Sequence, residues 1–280
     1  MEGLGATLIS LITNCSAKNE LKIWFLCSEL NANDKSNIRY LLQNEDFTGA
    51  LEFVDFNAFE RFGHLRSLHG DWTTYGRLLI PGILEVNSAL YLDSDLIIEA
   101  DILALKNYKS EKILSAVYGS TVRSALENPF FIQKLKWHPE TAYFNAGVLV
   151  FNITAWKANN TDQTIKYLSE KYSKEFLSAD QTLLNAVCKG DFGHLPKQFN
   201  QPWYPGKPQP ENIDKAITHF VGSPKPWDLF GQIIHTGHSL WKKYNTPFWK
   251  SQYGGITMGK LIRTWKIRRS IVKNLRDKVI

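Results

Sequence analysis

Two carboxylates one residue apart close a short apolar run in Tyr91-Leu92-Asp93-Ser94-Asp95-Leu96. Across a strand-end turn, both can reach one divalent cation. Hard oxygen ligands of this kind suit Mg²⁺ or Mn²⁺, and such an ion bridges phosphate oxygens. The opposing reading is a solvated loop, because Asp-x-Asp alone is common. A second apolar run, Ile217-Thr218-His219-Phe220-Val221, leads into Gly222-Ser223-Pro224-Lys225. Imidazole suits Mn²⁺ better than Mg²⁺. Lys225 is a cation for a phosphate, and Gly222 would let backbone approach it; a lone strand histidine is otherwise structural. Tyr143–Asn152 and Ser178–Asn185 place polar groups at the entry to an apolar strand and to a helix. Those groups could contact a sugar. Equally, Asp180 could cap its helix and Asn185 could hydrogen-bond within it.

Such residues need a scaffold that brings them together. Short apolar runs alternate with helix-like segments, which predicts an α/β fold with mostly parallel strands flanked by helices. The strands are expected at Leu21–Cys27, Leu51–Phe56, Ala89–Leu92, Ile113–Tyr118, Ala146–Phe151 and Ala216–Val221. The helices are expected at Gly5–Thr13, Lys35–Gln43, Thr74–Ile80, Thr121–Leu135, Thr161–Lys171 and Ala179–Val187. Asp93 then follows a strand's carboxyl end, where open α/β sheets bind ligands. The chain opens directly in the helix-like Leu4–Ile12, whereas nucleotide-binding α/β domains usually begin with a strand. Residues 200–226 are rich in Pro, Gly and aromatics and read as rigid loop. Trp203, Tyr204 and the following Trp227 could wall a sugar, or staple the loop to the core.

Composition excludes other classes. A chain of 280 residues with 44% hydrophobic and 21% charged residues is neither disordered nor collagen-like. The net charge of +6 invites a nucleic-acid reading, but residues 260–280 hold eight bases and one acid. The preceding 259 residues hold 25 bases and 26 acids, so the body is neutral and no nucleic-acid groove crosses it. Three cysteines form no disulfide framework and fit a reducing compartment, with Cys27 in the core. The first lysine is Lys18, and no apolar run approaches the ~20 residues that span a bilayer. A cytoplasmic protein is expected. Met258, Leu261, Ile262, Trp265, Val272, Leu275 and Val279 share roughly one helical face, with most of the bases off it. That predicts an interfacial helix over residues 259–280 on an anionic membrane surface, peripheral on the inner face of the cytoplasmic membrane. The alternative is a helix packed on its own domain.

Taken in order, these segments resemble glycosyltransferase family 8, which includes glycogenin and bacterial lipopolysaccharide galactosyltransferases and glucosyltransferases. The match includes Thr74-Tyr75-Gly76-Arg77-Leu78-Leu79-Ile80-Pro81, similar to the family's Tyr-x-Arg helix, and covers roughly residues 4–250. The resemblance implies a GT-A fold over residues 1–250, its first strand missing, with a basic amphipathic tail at 251–280. It implies a retaining transfer of galactose or glucose from a UDP-hexose donor to a saccharide acceptor, such as lipopolysaccharide or lipooligosaccharide, with Mn²⁺ or Mg²⁺. Asp93, Asp95 and His219 match the metal ligands. Gly222 and Lys225 match the diphosphate contacts, Arg77 matches the donor-side arginine, and Ser94 lies within the donor motif. Asn145 and Ala146 look like the donor-sugar wall. Asp180 and Gln181 look like the pair facing the anomeric carbon. The family's first strand and its acidic, Tyr-containing loop have no counterpart before Met1. Val117-Tyr118-Gly119-Ser120 stands where related galactosyltransferases carry an Asp, and Thr182 replaces a frequent Asp. Two rival readings are a haloacid-dehalogenase-like phosphatase, which also uses a strand ending in Asp-x-Asp, and a degenerate sugar-nucleotide or membrane binding module. The phosphatases expect Thr or Val where Ile97 stands.

Overall fold

The computed structural model describes residues 1–211 and 215–279. In chain order it runs α1 (Glu2–Asn14), β1 (Lys22–Cys27), α2 (Ala32–Asn44), β2 (Ala50–Asp55), α3 (Ala58–Phe62), a 3₁₀ turn (Thr73–Leu79) and α4 (Ile80–Ile83). Then come β3 (Ser88–Leu92), β4 (Leu96–Ile98), β5 (Leu114–Thr121), β6 (Ala142–Asn152), α5 (Ile153–Ala158), α6 (Thr161–Tyr172), α7 (Ala179–Cys188) and β7 (Gly193–Leu195). Strands β8 (Gln201–Trp203) and β9 (Ile217–Phe220) precede α8 (Gly231–Ile234), α9 (His238–Tyr244), α10 (Pro247–Tyr253) and α11 (Met258–Val279).

The strands form a main sheet in the order β3-β6-β5-β7, a β1–β2 pair and a small sheet in the order β4-β9-β8. Successive residues of a strand point to opposite faces. On β6, Leu149 accordingly enters a core with Trp156 and Phe131, while Val148 enters one with α1 and Trp249. Both faces are covered, so the strands read as continuous apolar runs. That pattern does not reveal direction, and here the expectation of mostly parallel strands is corrected. The pairs β1–β2, β5–β7 and β8–β9 are parallel, whereas β3–β6, β5–β6 and β4–β9 are antiparallel.

Two expected helices differ. Thr74–Ile80 is largely the 3₁₀ turn. Thr121–Leu135 breaks into a 3₁₀ turn at Val122–Ser124 and a π turn at Phe130–Lys134. Pro129 disfavours helical backbone at Asn128, and Ala125 is extended, so no continuous helix forms.

The tail helix α11 presents two apolar stripes. At about 100° per residue, Ile267 and Ile271 fall on one side and pack on Ile234. Arg263 forks onto Asp228 from that side, at 2.6 and 2.9 Å. Met258, Leu261, Ile262, Trp265 and Val272 fall on the opposite side and are exposed. Lys278, Val279 and Ile280 of the expected amphipathic face and basic tail have side chains outside the described residues. Among the described residues, no helix is long and apolar enough to cross a membrane.

Candidate active site

The site begins where the chain leaves one sheet for another. Strand β3 ends at Leu92, and the Asp93 amide still donates to Gly147 O of β6 at 2.9 Å. Ser94 is exposed. Asp95 then enters β4, which pairs with β9 so that Leu96 lies opposite His219. That register closes 123 positions of sequence and sets the imidazole beside the carboxylates. His219 Nε2 is 3.2 Å from Asp95 Oδ1 and 3.9 Å from Asp93 Oδ2. One ligand atom from each of Asp93, Asp95 and His219 lies within 4.8 Å of the others.

The hydrogen bonds fix the imidazole's tautomer. Asn145 Oδ1 accepts from the Gly147 amide at 3.0 Å, so the Asn200 atom facing it, 3.1 Å away, is the donating Nδ2. Asn200 Oδ1 then faces His219 Nδ1 at 3.1 Å, which must carry the proton. His219 Nε2 therefore presents a lone pair to Asp95 Oδ1, itself buried without a hydrogen-bond partner. Two acceptors facing one another need a cation or a second proton between them. Two oxygens and one imidazole nitrogen fit Mn²⁺ or Mg²⁺, with the nitrogen favouring Mn²⁺. Gly147 is required by close approach: a Cβ there would fall 2.5 Å from His219 Nδ1.

Two cations frame this cluster. Lys225 Nζ donates to Asp95 Oδ2 at 2.6 Å and to the Phe220 carbonyl. Burial pushes the Asp95 carboxyl up, but the Lys225 ammonium, joined by His219 when a second proton makes it a cation, outweighs it and holds it well below the usual carboxylate range. The loop before Lys225 turns through Gly222, whose φ of +82° favours glycine. Arg77 is almost fully buried. Its guanidinium donates to Asp93 Oδ1 at 2.9 Å and to the Ala146 carbonyl, and lies over the Tyr91 ring at 4.4 Å. Asp93 Oδ1 also accepts from Tyr91 OH at 2.6 Å.

Asp180 is not a helix cap. Its carboxylate is buried behind Arg77, with Oδ2 2.8 Å from Nε. Burial pushes its carboxyl up and Arg77 pulls it back, leaving it raised to about 6. Arg77 loses stability as a cation through burial, but Asp180 and Asp93 more than restore it. Gln181 is half-buried beside Asn145. Its Oε1 accepts from Asn145 Nδ2 and the Ala146 amide, both at 3.0 Å. Its Nε2 therefore donates to Tyr143 OH at 2.9 Å. Asn185 clamps Phe144, accepting from its amide and donating to its carbonyl, both at 3.0 Å.

Two residues join the site that the motifs did not single out. Asn200 orients His219, and its only sequence signal is its place at the head of the Pro-rich loop. Glu127, 1% exposed, accepts from Tyr143 OH and Thr182 Oγ1, both at 2.7 Å, and from Ser178 Oγ at 3.2 Å. It lies within the stretch expected to be helix. A continuous hydrogen-bonded chain thus runs from His219 through Asn200, Asn145, Gln181 and Tyr143 to Glu127. Of the loop aromatics, Trp203 is buried as a staple, and Tyr204 is 49% exposed beside Gly222.

The sequence model of glycosyl transferase family 8 matches residues 1–230. The chain belongs to that family. It is 25% identical over 248 residues to General stress protein A of Bacillus subtilis, covering 80% of this chain and 82% of that protein. It is 27% identical over 198 residues to the lipopolysaccharide 1,3-galactosyltransferase of Salmonella typhimurium, covering 64% and 56%. Its fold matches the galactosyltransferase LgtC, solved with donor and acceptor sugar analogs, at a TM-score of 0.69 and 20% identity over 92% of this chain and 97% of that one. The fold is therefore GT-A, and the protein is a family 8 glycosyltransferase. The phosphatase reading finds no support: Asp93, which would be its nucleophile, is held by Arg77 and Tyr91.

Proposed function

We propose that this glycosyltransferase moves a hexose from UDP-hexose to a saccharide acceptor with retention of configuration. The observation that carries the proposal is the convergence of Asp93, Asp95 and His219 between Lys225 and Arg77. Asp93, Asp95 and His219 would hold Mn²⁺. When bound, that ion supplies charge neutralisation for a diphosphate.

The chain's own residues do the rest. Lys225 is hydrogen-bonded to Asp95, one ligand of the cluster, and can move onto the leaving diphosphate, where charge develops as the glycosidic bond breaks. Gly222 brings backbone to the same phosphates. Arg77 holds Asp93 in place and bonds the Ala146 carbonyl, so it ties the metal cluster to the sugar wall. Asp180 acts behind Arg77 and keeps its guanidinium oriented. Asn145, Ala146 and Gln181 form the wall against the sugar. Gln181 faces the anomeric carbon, but an amide is a poor nucleophile, and among the described residues no second carboxylate stands with it as a double displacement requires. The acceptor hydroxyl therefore attacks the face that the diphosphate leaves, giving its proton to a phosphate oxygen. A trapped glycosyl-enzyme adduct would refute this.

The acceptor is a lipid-linked saccharide such as lipopolysaccharide, read from the named Salmonella relative and from α11. The outward stripe of α11, led by Trp265, is flanked by Arg268 on one edge and by Lys266 and Lys273 on the other, with Arg269 and Arg276 within it, a mix of apolar and basic groups that suits an anionic interface. Deleting residues 259–280 should abolish binding to vesicles containing anionic lipid; unchanged binding would sink the membrane assignment. The main test is a panel of UDP-sugars with Mn²⁺, scored by UDP release. Asp95→Asn should remove turnover, and full activity in that variant would overturn the metal cluster. Tight UDP-sugar binding without release would instead favour a binding module.

A further inference from the structure

Lys225 stands between β9 and α8, on a loop that is held at several points. The Phe220 amide donates to the Asp95 carbonyl and the Val221 amide to the Trp203 carbonyl, both at 3.1 Å. The chain then turns through Gly222 and meets Asp228. Asp228 Oδ2 accepts from the Lys225 amide at 2.7 Å, and the Asp228 amide donates to the Lys225 carbonyl at 3.1 Å. The carboxylate thus closes a ring over residues 225–228. That ring fixes the backbone from which the Lys225 ammonium reaches Asp95.

The Asp228 side chain is only 5% exposed, and a carboxylate so buried must be paired. Its partner comes from α11. Arg263 Nε donates to Oδ1 at 2.6 Å and Nη2 to Oδ2 at 2.9 Å, a two-pronged pair of fixed geometry. Oδ2 is therefore shared between Arg263 and the Lys225 amide. At about 100° per residue, Arg263, Ile267, Ile271 and Asn274 lie along one side of α11. Ile267 and Ile271 pack on Ile234, where the segment that begins at Lys225 ends. Asn274 lies against Gly206, where a Cβ would fall 2.7 Å from its Oδ1, and the Gly206 amide donates to the Ile234 carbonyl at 3.3 Å. The seated helix thus braces residues 225–234 at both ends.

We propose that Asp228 is a positioning residue that passes the seating of α11 on to Lys225, so the tail helix is part of the transfer machinery. This rests on the reading of Lys225 as a contact to the leaving diphosphate. Without the Arg263 fork, Asp228 is a buried carboxylate that has lost its charge partner. It turns toward water and releases the Lys225 amide. The ammonium then strays from both Asp95 and the diphosphate. Turnover falls, because a donor to the developing charge is displaced. Metal binding tightens, because the bond that competes for Asp95 is loosened. A merely structural loss at this loop would not tighten a metal.

In the full chain, Arg263→Met should lower kcat about tenfold with the donor KM unchanged, read as UDP release without lipid. It should also tighten Mn²⁺ binding about threefold or more, in calorimetric titration without nucleotide. Asp228→Asn keeps the side chain's size and breaks the fork from the other end, so it should reproduce both changes. Arg263→Lys keeps one charged bond and should recover part of kcat. In a Lys225→Met background, Arg263→Met should alter neither quantity further, because both effects pass through the lysine. Losses that multiply in that double variant overturn the proposal, and so does weakened Mn²⁺ binding in Arg263→Met and Asp228→Asn. Full kcat in those two variants, beside a loss in Lys225→Met, overturns it and leaves the reading of Lys225 intact. Full kcat in Lys225→Met removes that reading and the proposal together.

Discussion

Replacing Lys225 by Met should change metal binding and turnover in opposite directions. The ammonium sits 2.6 Å from Asp95 Oδ2, and both side chains are largely buried. At an effective dielectric of about 20, the gross attraction at that distance is about 6 kcal/mol. Desolvation offsets most of it, and a charge-assisted hydrogen bond nets about 1.5–3 kcal/mol. A cation binding Asp95 must displace that bond. Removing Lys225 should therefore tighten Mn²⁺ binding by about 10- to 100-fold in the absence of nucleotide. The same ammonium supplies one donor to the leaving diphosphate, so kcat should fall by about 10²–10³. Calorimetric titration with Mn²⁺ measures the first effect, and UDP release at saturating Mn²⁺ the second. Lys225→Arg should recover part of kcat. Weaker metal binding in Lys225→Met would show that the lysine supports the cluster instead of competing for it. Unchanged kcat would remove it from the leaving-group side.

Three further outcomes follow from the geometry. Gly147→Ala places a Cβ against the His219 ring, so Mn²⁺ affinity should fall by at least about tenfold; unaltered affinity would show that the ring yields freely. Glu127→Gln weakens the anchor behind Tyr143 and Gln181, so kcat should fall about 10- to 100-fold with little change in KM for the donor; an equal rise in KM would place Glu127 in binding instead. Asp180, raised to about 6, holds its proton more tightly folded than unfolded. Its stabilising contribution is full below the ordinary carboxylate value and is lost as pH rises through about 6. Urea unfolding between pH 4 and 7 should show a decline, on the order of 2–3 kcal/mol, that Asp180→Asn flattens. An unchanged slope would show that Asp180 titrates normally.

Much of the site was legible because its chemistry sits in short, ordered segments. Asp93, Asp95, His219, Lys225 and Arg77 each stand at the end of an apolar run or in a motif, and the structure gathers them. Asn200 and Glu127 were not legible. Asn200 lies in no periodic pattern, and Glu127, inside a stretch read as helix, works through partners 16, 51 and 55 positions away. Asp180 was visible: its segment left it open between a cap and a sugar contact, the resemblance matched it to the pair facing the anomeric carbon, and the structure buries it against Arg77. Its place behind Arg77 depends on how α7 packs on the 3₁₀ turn.

The sequence by itself determined the apolar strands, the amphipathic tail and the residue types of the cluster, because these are written in local spacing and composition. It did not determine strand direction, because a strand covered on both faces reads alike in either sense. Short β4 carries too few residues to show a period, yet its pairing with β9 sets His219 beside Asp95. The tautomer of His219 was also decided only in three dimensions. Each depends on which backbone groups meet across long stretches of chain, and pairing between distant segments leaves no local trace.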